Sequence, residues 1–376
     1  MRTLSQINIT GKRVLLRSDL NVPLKDNGEI ADDFKIKKSL KTIKYILKHA
    51  KQVIILTHLG RPEGKKDPKY KVDNIALRLM KYLGRTVAKL DDCVDIIIPE
   101  EKIVLLENVR FHKEEMDNDP GFAKKLASHA DIYVNDAFGV SQRKHASLVG
   151  VAKILPSCAG LLVEDEIKHL DFKLVEKPFV VIMGGSKLST KFPVINSLIP
   201  KVDKLLLGGA MIFTFYKADN LQIGNSLYEE DQIVTARLLL HNEKIVLPKD
   251  ILVGKDTNDN SPTIVYTNGI SKNKIGLDIG PETVELFKKE LKKAKTIFWN
   301  GPLGYYESET YAQATYEIAK FLANSNARVI IGGGDSVTVI DKLGLREQFA
   351  HISTGGGASL EYIQSGTLVA LEVLKS

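Results

Sequence analysis

The sequence predicts an α/β protein with two doubly wound parallel sheets, one in each of two domains. The chain has 376 residues, a length that favours two domains over one. Short apolar runs alternate with amphipathic stretches along almost the whole chain, which is typical of parallel sheets flanked by helices. Polar or glycine-rich segments follow these runs, as expected where the carboxyl ends of parallel strands form a binding edge.

The predicted strands are apolar runs of three to five residues. Continuous apolar runs of this length predict strands that are buried on both faces of a sheet. They lie at residues 14–16, 53–56, 103–106 and 132–134, and then at 179–183, 205–207, 245–247, 297–299 and 329–331. Amphipathic stretches at 36–49, 74–83, 121–129 and 310–324 predict helices between them.

A domain boundary is predicted near residues 155–177. Pro156 and Gly160 interrupt an apolar stretch, the charged segment 164–171 predicts a helix, and Pro178 precedes the next strand. We therefore expect a first domain at 1–155, a connecting helix or hinge at 156–175, and a second domain at 176–358.

Composition and missing motifs exclude several classes of protein. Hydrophobic residues make up 44% and charged residues 26% of the chain, and no apolar run approaches the ~18 residues that span a bilayer. The two cysteines, Cys93 and Cys158, cannot form a disulfide framework or a four-thiolate metal site. The N-terminus has no signal-peptide pattern. We therefore expect a cytoplasmic protein. The motifs G-x-x-x-x-G-K-S/T, G-x-G-x-x-G and H-E-x-x-H are absent, which argues against P-loop enzymes, dinucleotide-binding proteins, protein kinases and zinc proteases.

The positive charge is concentrated in the first half of the chain. The net charge is +7, and residues 1–170 contain 30 basic and 23 acidic residues, which accounts for the whole excess. This asymmetry indicates that the first half binds an anion, although lysines on solvated helix faces would produce the same excess. No nucleic acid partner is expected, because the sequence has no run of five basic residues and no interleaved basic and aromatic residues.

Candidate anion-binding residues follow four predicted strands of the first half. Asn21 follows the first strand, His58 and Arg61 the second, Arg110 the third and Arg143 the fourth. If these strands are parallel neighbours, the side chains converge on one edge of a sheet, where arginine forks bind phosphate and carboxylate groups. Each arginine alone could instead form a surface salt bridge. Together they predict a site for a small molecule that carries both phosphate and carboxylate.

Glycines follow the predicted strands of the second half. They occur in the segments Gly184-Gly185, Gly208-Gly209, Gly301, Gly332-Gly333-Gly334 and Gly355-Gly356-Gly357. Glycine lets a backbone approach a ligand closely, although tight turns also need it. The set predicts a nucleotide that lies across this edge of the second sheet, with the glycines at 355–357 facing the N-terminus of a helix predicted from Ser359.

Three charged residues near these glycines are candidates for contacts with the phosphates. Lys187 and Lys191 are four residues apart, which would place them on one face of a helix. Asp335 follows three glycines. It is either a Mg²⁺ ligand, since Mg²⁺ prefers one or two carboxylates with phosphate oxygens, or the N-cap of the next helix, and both roles are compatible.

A site for a small anion and a site for a nucleotide, on separate domains, indicate phosphoryl transfer. Two domains joined by a hinge can bring the substrates into line and shelter them from water by closing. An acceptor carboxylate is already ionised at neutral pH and needs no strong general base. Two alternatives remain open: a nicotinamide-dependent dehydrogenase, and a regulatory or scaffolding protein without catalytic activity.

The chain resembles the phosphoglycerate kinase family over nearly its whole length. The motifs that carry the resemblance are RSDLNVPL, THLGRP, LLENVRF, VNDAFG, GGSK, GGAMIFTF, LDIGP, WNGPLG, GGGDS and STGGGASLE. The resemblance implies two Rossmann-like domains joined by a helix, with residues 359–376 packing back on the N-terminal domain. It also implies reversible, Mg²⁺-dependent phosphoryl exchange between 3-phosphoglycerate with ATP and 1,3-bisphosphoglycerate with ADP, in glycolysis and gluconeogenesis, by a monomer.

The resemblance also implies roles for individual residues. The phosphoglycerate site would consist of Asp19, Asn21, His58, Arg61, Arg110 and Arg143. The nucleotide site would consist of Gly185, Lys187, Lys191, Gly208, Gly209, Gly301, Glu307, Gly334, Asp335 and Ser336, with Glu307 on the ribose and Asp335 on Mg²⁺. The residues that act on the moving phosphoryl group would be Lys35, Lys187, Gly355, Gly356 and Gly357.

Four positions depart from the family pattern. Lys35 stands where the family has an arginine beside the transferring group, and lysine lacks the planar fork of arginine. Gln142 stands where the family usually has a histidine before the equivalent of Arg143. Tyr305 and Tyr306 replace the usual valine–phenylalanine pair. We expect an active enzyme that is slower than its Lys35→Arg variant.

Overall fold

The computed structural model describes residues 1–267 and 269–375, which divide into two units. The first unit contains Met1–Leu170 together with residues 365–375, and the second contains Asp171–Gln364. Each unit is built around a six-stranded sheet in which the paired strands are parallel. The predicted fold class, α/β with two parallel sheets, is confirmed.

The first sheet forms from the continuous apolar runs of the first half. Its strands are β1 Arg13–Ser18, β2 Gln52–Leu56, β3 Ala88–Lys89, β4 Ile103–Leu105, β5 Ile132–Asp136 and β6 Ser157–Ala159, in the order β3-β4-β2-β1-β5-β6. Val14 pairs with Val53 on one side and with Ile132 on the other, and all three are buried. The strand order reverses at β1, a topology that leaves a crevice at its carboxyl end.

Helices cover the first sheet. They are α1 Phe34–His49, α2 Asp73–Leu83, α3 Lys113–Met116, α4 Pro120–Ala127 and α5 Leu161–Leu170. Ile36, Ile43 and Ile46 of α1 recur at helical spacing and are fully buried against the sheet, which is the amphipathic pattern expected of a helix that packs on one face. Helix α4 begins at Pro120, and the carboxylate of its N-cap residue, Asp119, accepts a hydrogen bond of 2.7 Å from the Phe122 amide, as a good N-cap does.

The second unit repeats this construction and adds a small antiparallel sheet. Its main sheet has the order β15-β14-β13-β7-β8-β9. The strands are β7 Phe179–Met183, β8 Lys204–Leu207, β9 Ile245–Val246, β13 Thr296–Asn300, β14 Arg328–Gly332 and β15 His351–Ile352. Strands β10 Asp250–Gly254, β11 Thr263–Tyr266 and β12 Ile275–Ile279 form the antiparallel sheet, in the order β11-β10-β12.

Helices of the second unit lie between its strands. They are α6 Leu188–Leu198, α7 Ile212–Ala218, α8 Ile233–Leu239, α9 Pro281–Leu291, α10 Gln313–Ala323, α11 Gly334–Lys342 and α12 Gly357–Ser365. The predicted helix at Ser359 begins two residues earlier, at Gly357. The core contains the buried Phe298 and Trp299 of β13.

The unit boundaries differ from the predicted domain limits. Helix α5 ends at Leu170, where the first unit gives way to the second, whereas the sequence predicted that the first domain ends at residue 155. The last helix, α13 Val369–Glu372, belongs to the first unit, and its Ala370 packs against Ala137 and Leu148. This returning segment begins at Ser365 rather than at residue 359, because residues 357–364 lie in α12 with the second unit.

Helices long and apolar enough to cross a membrane are not found in residues 1–267 and 269–375.

Candidate active site

The loops that follow β1 and β2 are tied together at the carboxyl edge of the first sheet. The Thr57 hydroxyl accepts a hydrogen bond of 3.1 Å from the Leu20 amide and donates one of 3.0 Å to the Ser18 carbonyl. The Asn21 side-chain oxygen accepts a hydrogen bond of 2.9 Å from the Gly60 amide. The predicted residues of these two strand ends are therefore brought together.

Arg110 joins the loop after β4 to the same edge. Its guanidinium donates a hydrogen bond of 2.8 Å to the Gly60 carbonyl. Arg61 follows Gly60, is exposed, and lines a surface depression of about 560 Å³ that also contains Lys65 and Lys66. Asn21, Arg110 and the start of the Arg61 loop thus share one set of contacts.

Lys35 is paired with another predicted site residue. It lies in the first turn of α1, and its Nζ atom donates a hydrogen bond of 2.7 Å to Oδ2 of Asp19. The other carboxylate oxygen of Asp19 accepts a hydrogen bond of 3.2 Å from the Asn21 amide. The lysine that replaces the family arginine is therefore held by a carboxylate at the end of β1.

The electrostatics of this edge indicate an excess of positive charge. Burial lowers the pKa of His58 well below its ordinary value, and the neighbouring cations Arg17, Arg110 and Lys35 lower it further. Burial also lowers the pKa of Arg110 to about 10, with a further contribution from Arg17. Cations that lie this close to a buried histidine and to a partly buried arginine create a site that favours an anion.

A buried ionic network lies beneath these residues, and sequence reasoning missed it. Arg17, Glu115 and Ser147 are fully buried. Arg17 donates from Nε to the Ser147 hydroxyl at 2.8 Å and from Nη1 and Nη2 to Nδ1 of His58 at 3.3 Å. Glu115 accepts from the Ser147 hydroxyl at 2.6 Å and from the Ser147 amide at 2.8 Å. An arginine inside an otherwise apolar strand was the available signal, since such a charge requires buried partners.

The fourth predicted strand end contributes less directly. Arg143 is exposed and lies within electrostatic range of Arg110. Within residues 1–267 and 269–375, Oε1 of Gln142 is buried and has no hydrogen-bond partner. Nδ1 of His145 lies 3.5 Å from a carboxylate oxygen of Glu115.

In the second unit, several predicted glycines are required by the contacts between loops. A Cβ atom on Gly301 would lie 2.3 Å from the Gly184 carbonyl oxygen, and one on Gly209 would lie 2.4 Å from the Gly185 carbonyl oxygen. A Cβ atom on Gly208 would lie 2.5 Å from the Leu303 side chain. These glycines let the strand-end loops pack on one another.

Other glycines face open space. A Cβ atom on Gly334, Gly356 or Gly357 would meet no atom within 4 Å. Gly355 is buried, and its amide donates a hydrogen bond of 3.1 Å to the Ser353 hydroxyl. The start of α12 is therefore accessible to a ligand, and its free amides favour an anion.

The two predicted lysines occupy different positions. Lys187 is exposed and forms the N-cap of α6, so it does not share a helix face with Lys191 as predicted, because the helix begins only at Leu188. Lys191 is half-buried and donates a hydrogen bond to the side-chain oxygen of Asn300. Burial lowers the pKa of Lys191, and the nearby carboxylate of Asp335 opposes this effect.

Asn300 was not predicted as a site residue. In the described part of the chain, its Nδ2 atom is buried without a hydrogen-bond partner and would lie 2.9 Å from a Cβ atom on Gly333. An unpartnered buried donor beside the glycine loop suits an anionic ligand. The feature of the sequence that could have indicated this residue is an asparagine directly after the apolar run at 297–299.

Asp335 lies in the first turn of α11 and is exposed. The N-cap of α11 is Gly333, so the N-cap interpretation of Asp335 was wrong by two positions. Oδ1 of Asp335 accepts a hydrogen bond of 3.2 Å from the Tyr306 hydroxyl. Ser336 is fully buried, and its hydroxyl accepts a hydrogen bond of 2.7 Å from the Gly301 amide. Glu307, next to Tyr306, is exposed.

An exposed carboxylate beside open glycine amides fits Mg²⁺ bound with a nucleotide. Mg²⁺ takes one or two carboxylates and completes its coordination with phosphate oxygens and water. Asp335 supplies one such carboxylate, and Gly334 next to it leaves space for phosphates.

Comparisons with known proteins agree with this geometry. The family model described as phosphoglycerate kinase matches residues 4–366. Phosphoglycerate kinase from Dictyoglomus turgidum is 48% identical over 384 residues, which cover 98% of this chain and 96% of that protein. The cytosolic phosphoglycerate kinase of Triticum aestivum is 46% identical, over 97% of this chain and 96% of its own.

Solved structures show the same likeness. The structure of phosphoglycerate kinase from Coxiella burnetii superimposes with a TM-score of 0.89 at 37% identity, over 99% of this chain and 98% of that one. The enzyme from Pyrococcus horikoshii gives a TM-score of 0.85 at 31% identity, over 100% of this chain and 98% of its own. With the strand-end cations of its first unit and the glycine loops of its second, this chain belongs to the phosphoglycerate kinase family.

Proposed function

We propose that the chain catalyses reversible, Mg²⁺-dependent transfer of a phosphoryl group between 1,3-bisphosphoglycerate and ADP, on one side, and 3-phosphoglycerate and ATP, on the other. This is the reaction of glycolysis and gluconeogenesis. The observation that carries the proposal is the family match over residues 4–366. The cation cluster of the first unit and the open glycines of the second agree with it chemically.

The first unit binds the phosphoglycerate. Arg61, Arg110 and Arg143 hold the phosphate that is not transferred, together with His58. Arg17 has only N–H donors, so Nδ1 of His58 is the acceptor of its 3.3 Å contacts, and Nε2 carries the hydrogen. His58 therefore acts as a neutral hydrogen-bond donor.

The other end of the phosphoglycerate is bound by Asp19 and Asn21. The backbone N–H of Asn21 donates to Asp19, and its side-chain oxygen accepts from the Gly60 amide. The side-chain NH2 group of Asn21 is the donor that we assign to the substrate. Lys35 stands beside Asp19 at 2.7 Å and supplies positive charge to the group in transfer. Lysine does so as a point charge rather than as a fork.

The second unit binds the nucleotide. The residues assigned to it are Gly185, Lys187, Lys191, Gly208, Gly209, Gly301, Glu307, Gly334, Asp335 and Ser336. Asp335 would hold Mg²⁺, which when bound neutralises charge on the nucleotide phosphates. Lys187 and the glycine loop Gly355, Gly356 and Gly357 stabilise the negative charge of the moving group. The amides of Gly356 and Gly357 are the donors in this loop, because the Gly355 amide already donates to the Ser353 hydroxyl.

The chemistry asks for positioning and charge neutralisation rather than for a general base. The acceptor is a carboxylate, which is ionised at neutral pH. A carboxylate oxygen attacks phosphorus while the bond from phosphorus to the leaving oxygen of ADP breaks. Direct in-line transfer with hinge closure remains a prediction from the sequence.

The proposal is tested by mixing the protein with Mg²⁺, ATP and 3-phosphoglycerate and following ADP formation. We expect ADP formation that requires all three components. A dehydrogenase would instead produce a change in NAD(H) absorbance, and a scaffolding protein would show neither signal. The absence of ADP formation from the folded protein would refute the proposed activity.

We further infer that the protein acts as a monomer in the cytoplasm, as the family resemblance implies. Light scattering on the purified chain tests the first statement, with a mass near 41.7 kDa expected for a monomer.

A further inference from the structure

Tyr306 occupies a fixed position next to the predicted metal ligand. Its ring packs against the buried Ala312, Tyr316 and Val339, together with Leu343. Its neighbour Tyr305 is exposed, and the Tyr305 amide donates a hydrogen bond of 2.7 Å to the Leu277 carbonyl. The main chain and the Tyr306 ring are therefore both anchored, which fixes where the Tyr306 hydroxyl lies.

This hydroxyl contacts the carboxylate of Asp335. The Tyr306 oxygen donates to Oδ1 of Asp335 at 3.2 Å. A carboxylate has about four lone-pair sites, so one donor leaves several free for a cation and for water. Because Gly333 is the N-cap of α11, the carboxylate of Asp335 is not needed to cap that helix.

We propose that Tyr306 is a positioning residue that orients the Asp335 carboxylate for the metal–nucleotide complex. The proposal rests on the proposed role of Asp335 as the Mg²⁺ ligand. An exposed aspartate samples several side-chain rotamers, and binding a metal in one of them costs conformational entropy. A hydroxyl on an anchored ring selects one orientation before the metal arrives, as outer partners of ligating carboxylates do.

The contact also links two loops with different tasks. Tyr306 belongs to the loop after β13, directly before Glu307, the residue assigned to the ribose. Asp335 lies in the first turn of α11, directly after the short loop that follows β14. The hydrogen bond therefore couples the ribose-binding loop to the metal-binding loop, so that one nucleotide can engage both.

Tyr306→Phe tests this inference, because it removes the hydroxyl and keeps the anchored ring. Tyr305→Phe is the matched control, since it removes the hydroxyl of the neighbouring exposed tyrosine. Binding of Mn²⁺, as a paramagnetic substitute for Mg²⁺, is measured by titration of the protein with saturating ADP. ADP binding with EDTA present is measured in parallel by calorimetry.

We expect Tyr306→Phe to raise the Kd of Mn²⁺ about threefold to tenfold. This effect is small for a residue that hydrogen-bonds a metal ligand, because the hydrogen bond is long and the Asp335 carboxylate is exposed. Tyr305→Phe should leave this Kd unchanged, and both variants should bind metal-free ADP like the parent. Equal Mn²⁺ affinity in the two variants would overturn the inference. So would a loss of metal-free ADP binding in Tyr306→Phe that matches its loss of Mn²⁺ binding, since the hydroxyl would then act on the nucleotide loop alone.

Asp335→Asn separates this inference from the proposed function. If Asp335→Asn leaves Mn²⁺ binding intact, the proposed metal role of Asp335 is wrong, and the inference built on it is overturned as well. If Asp335→Asn abolishes Mn²⁺ binding while Tyr306→Phe preserves it, only the inference about Tyr306 is wrong.

Discussion

Replacing Ser147 with alanine tests whether the buried network around Arg17 stabilises the first unit against unfolding. The Ser147 hydroxyl donates to Glu115 at 2.6 Å and accepts from Arg17 at 2.8 Å. Both partners are charged and fully buried. The Ser147 amide, which also donates to Glu115, is unaffected by the substitution.

The expected cost follows from these contacts. A hydrogen bond to a charged group contributes about 1.5–3 kcal/mol, and a buried charged group that loses its partner finds no water to replace it. Ser147→Ala leaves the Arg17 Nε–H unpaired and removes one donor from Glu115. We therefore expect a loss of about 3–6 kcal/mol in the free energy of unfolding of the first unit.

Ser141→Ala is the matched control. Ser141 is also fully buried, and its hydroxyl donates to the Ala137 carbonyl at 3.0 Å and accepts from Asn135 at 3.2 Å. These two bonds join neutral groups and contribute about 0.5–1.5 kcal/mol each. The control thus removes the same atom and the same number of hydrogen bonds without disturbing a charge.

The assay is urea-induced unfolding of both variants and the parent, followed by far-UV circular dichroism. Trp299 is the only tryptophan of the chain and lies in the second unit, so its fluorescence records that unit in the same samples. A chain with two units need not unfold in one transition, and the two probes show whether it does. If Ser147→Ala loses no more stability than Ser141→Ala, the charged network does not carry the stability assigned to it.

Three further predictions concern single side chains. Arg110→Ala should raise the KM for 3-phosphoglycerate at least tenfold, because a charged contact contributes about 1.5–3 kcal/mol, and should leave ADP binding unchanged. Arg85→Ala is the control, since Arg85 is an exposed arginine of the same unit. Equal KM values in the two variants would refute the assignment of Arg110 to the substrate. Lys35→Arg should raise kcat about fivefold, because a fork adds roughly 1 kcal/mol of directed contact with the transferring group; an unchanged or lower kcat would show that Lys35 is not limiting. Burial opposes ionisation of Asp33, but hydrogen bonds from Tyr82, Lys37 and Arg78 outweigh it and lower the pKa from 3.8 to about 2. Because the pKa of Asp33 is lower in the folded chain, ionisation of Asp33 stabilises the fold by about 2 kcal/mol above pH 4, and this stabilisation is lost as the pH falls to 2. The difference in unfolding free energy between the parent and Asp33→Asn should therefore shrink from pH 4 to pH 2. A constant difference would contradict the reasoning.

The sequence predicted the parallel sheets because buried strands are visible as continuous apolar runs. It did not predict the antiparallel sheet formed by β10, β11 and β12. Strand β11 is mostly exposed, and β12 is only half-buried over three of its five residues. Strands with so little buried surface lack the apolar run that marks the others.

The sequence indicates which residue types lie at the candidate site, but not the structural task of each residue. A glycine-rich strand end predicts a close approach, but the sequence does not distinguish Gly301, which packs on Gly184, from Gly356, which faces open space. The network around Arg17 was out of reach for a similar reason, since Ser147 lies 130 positions away along the chain. Such contacts depend on the packing of distant segments rather than on local pattern.

The charges at the edge of the first sheet favour the binding of an anion. Arg17, Lys35 and Arg110 lie close together, while Asp19 and Glu115 are the acidic residues that face them. This leaves an excess of positive charge even before exposed Arg143 is added. Burial lowers the pKa of Arg110, and repulsion from Arg17 and Arg143 lowers it further. An anionic substrate removes that repulsion when it binds, so part of its affinity comes from relief of a charge excess that the fold maintains in its absence.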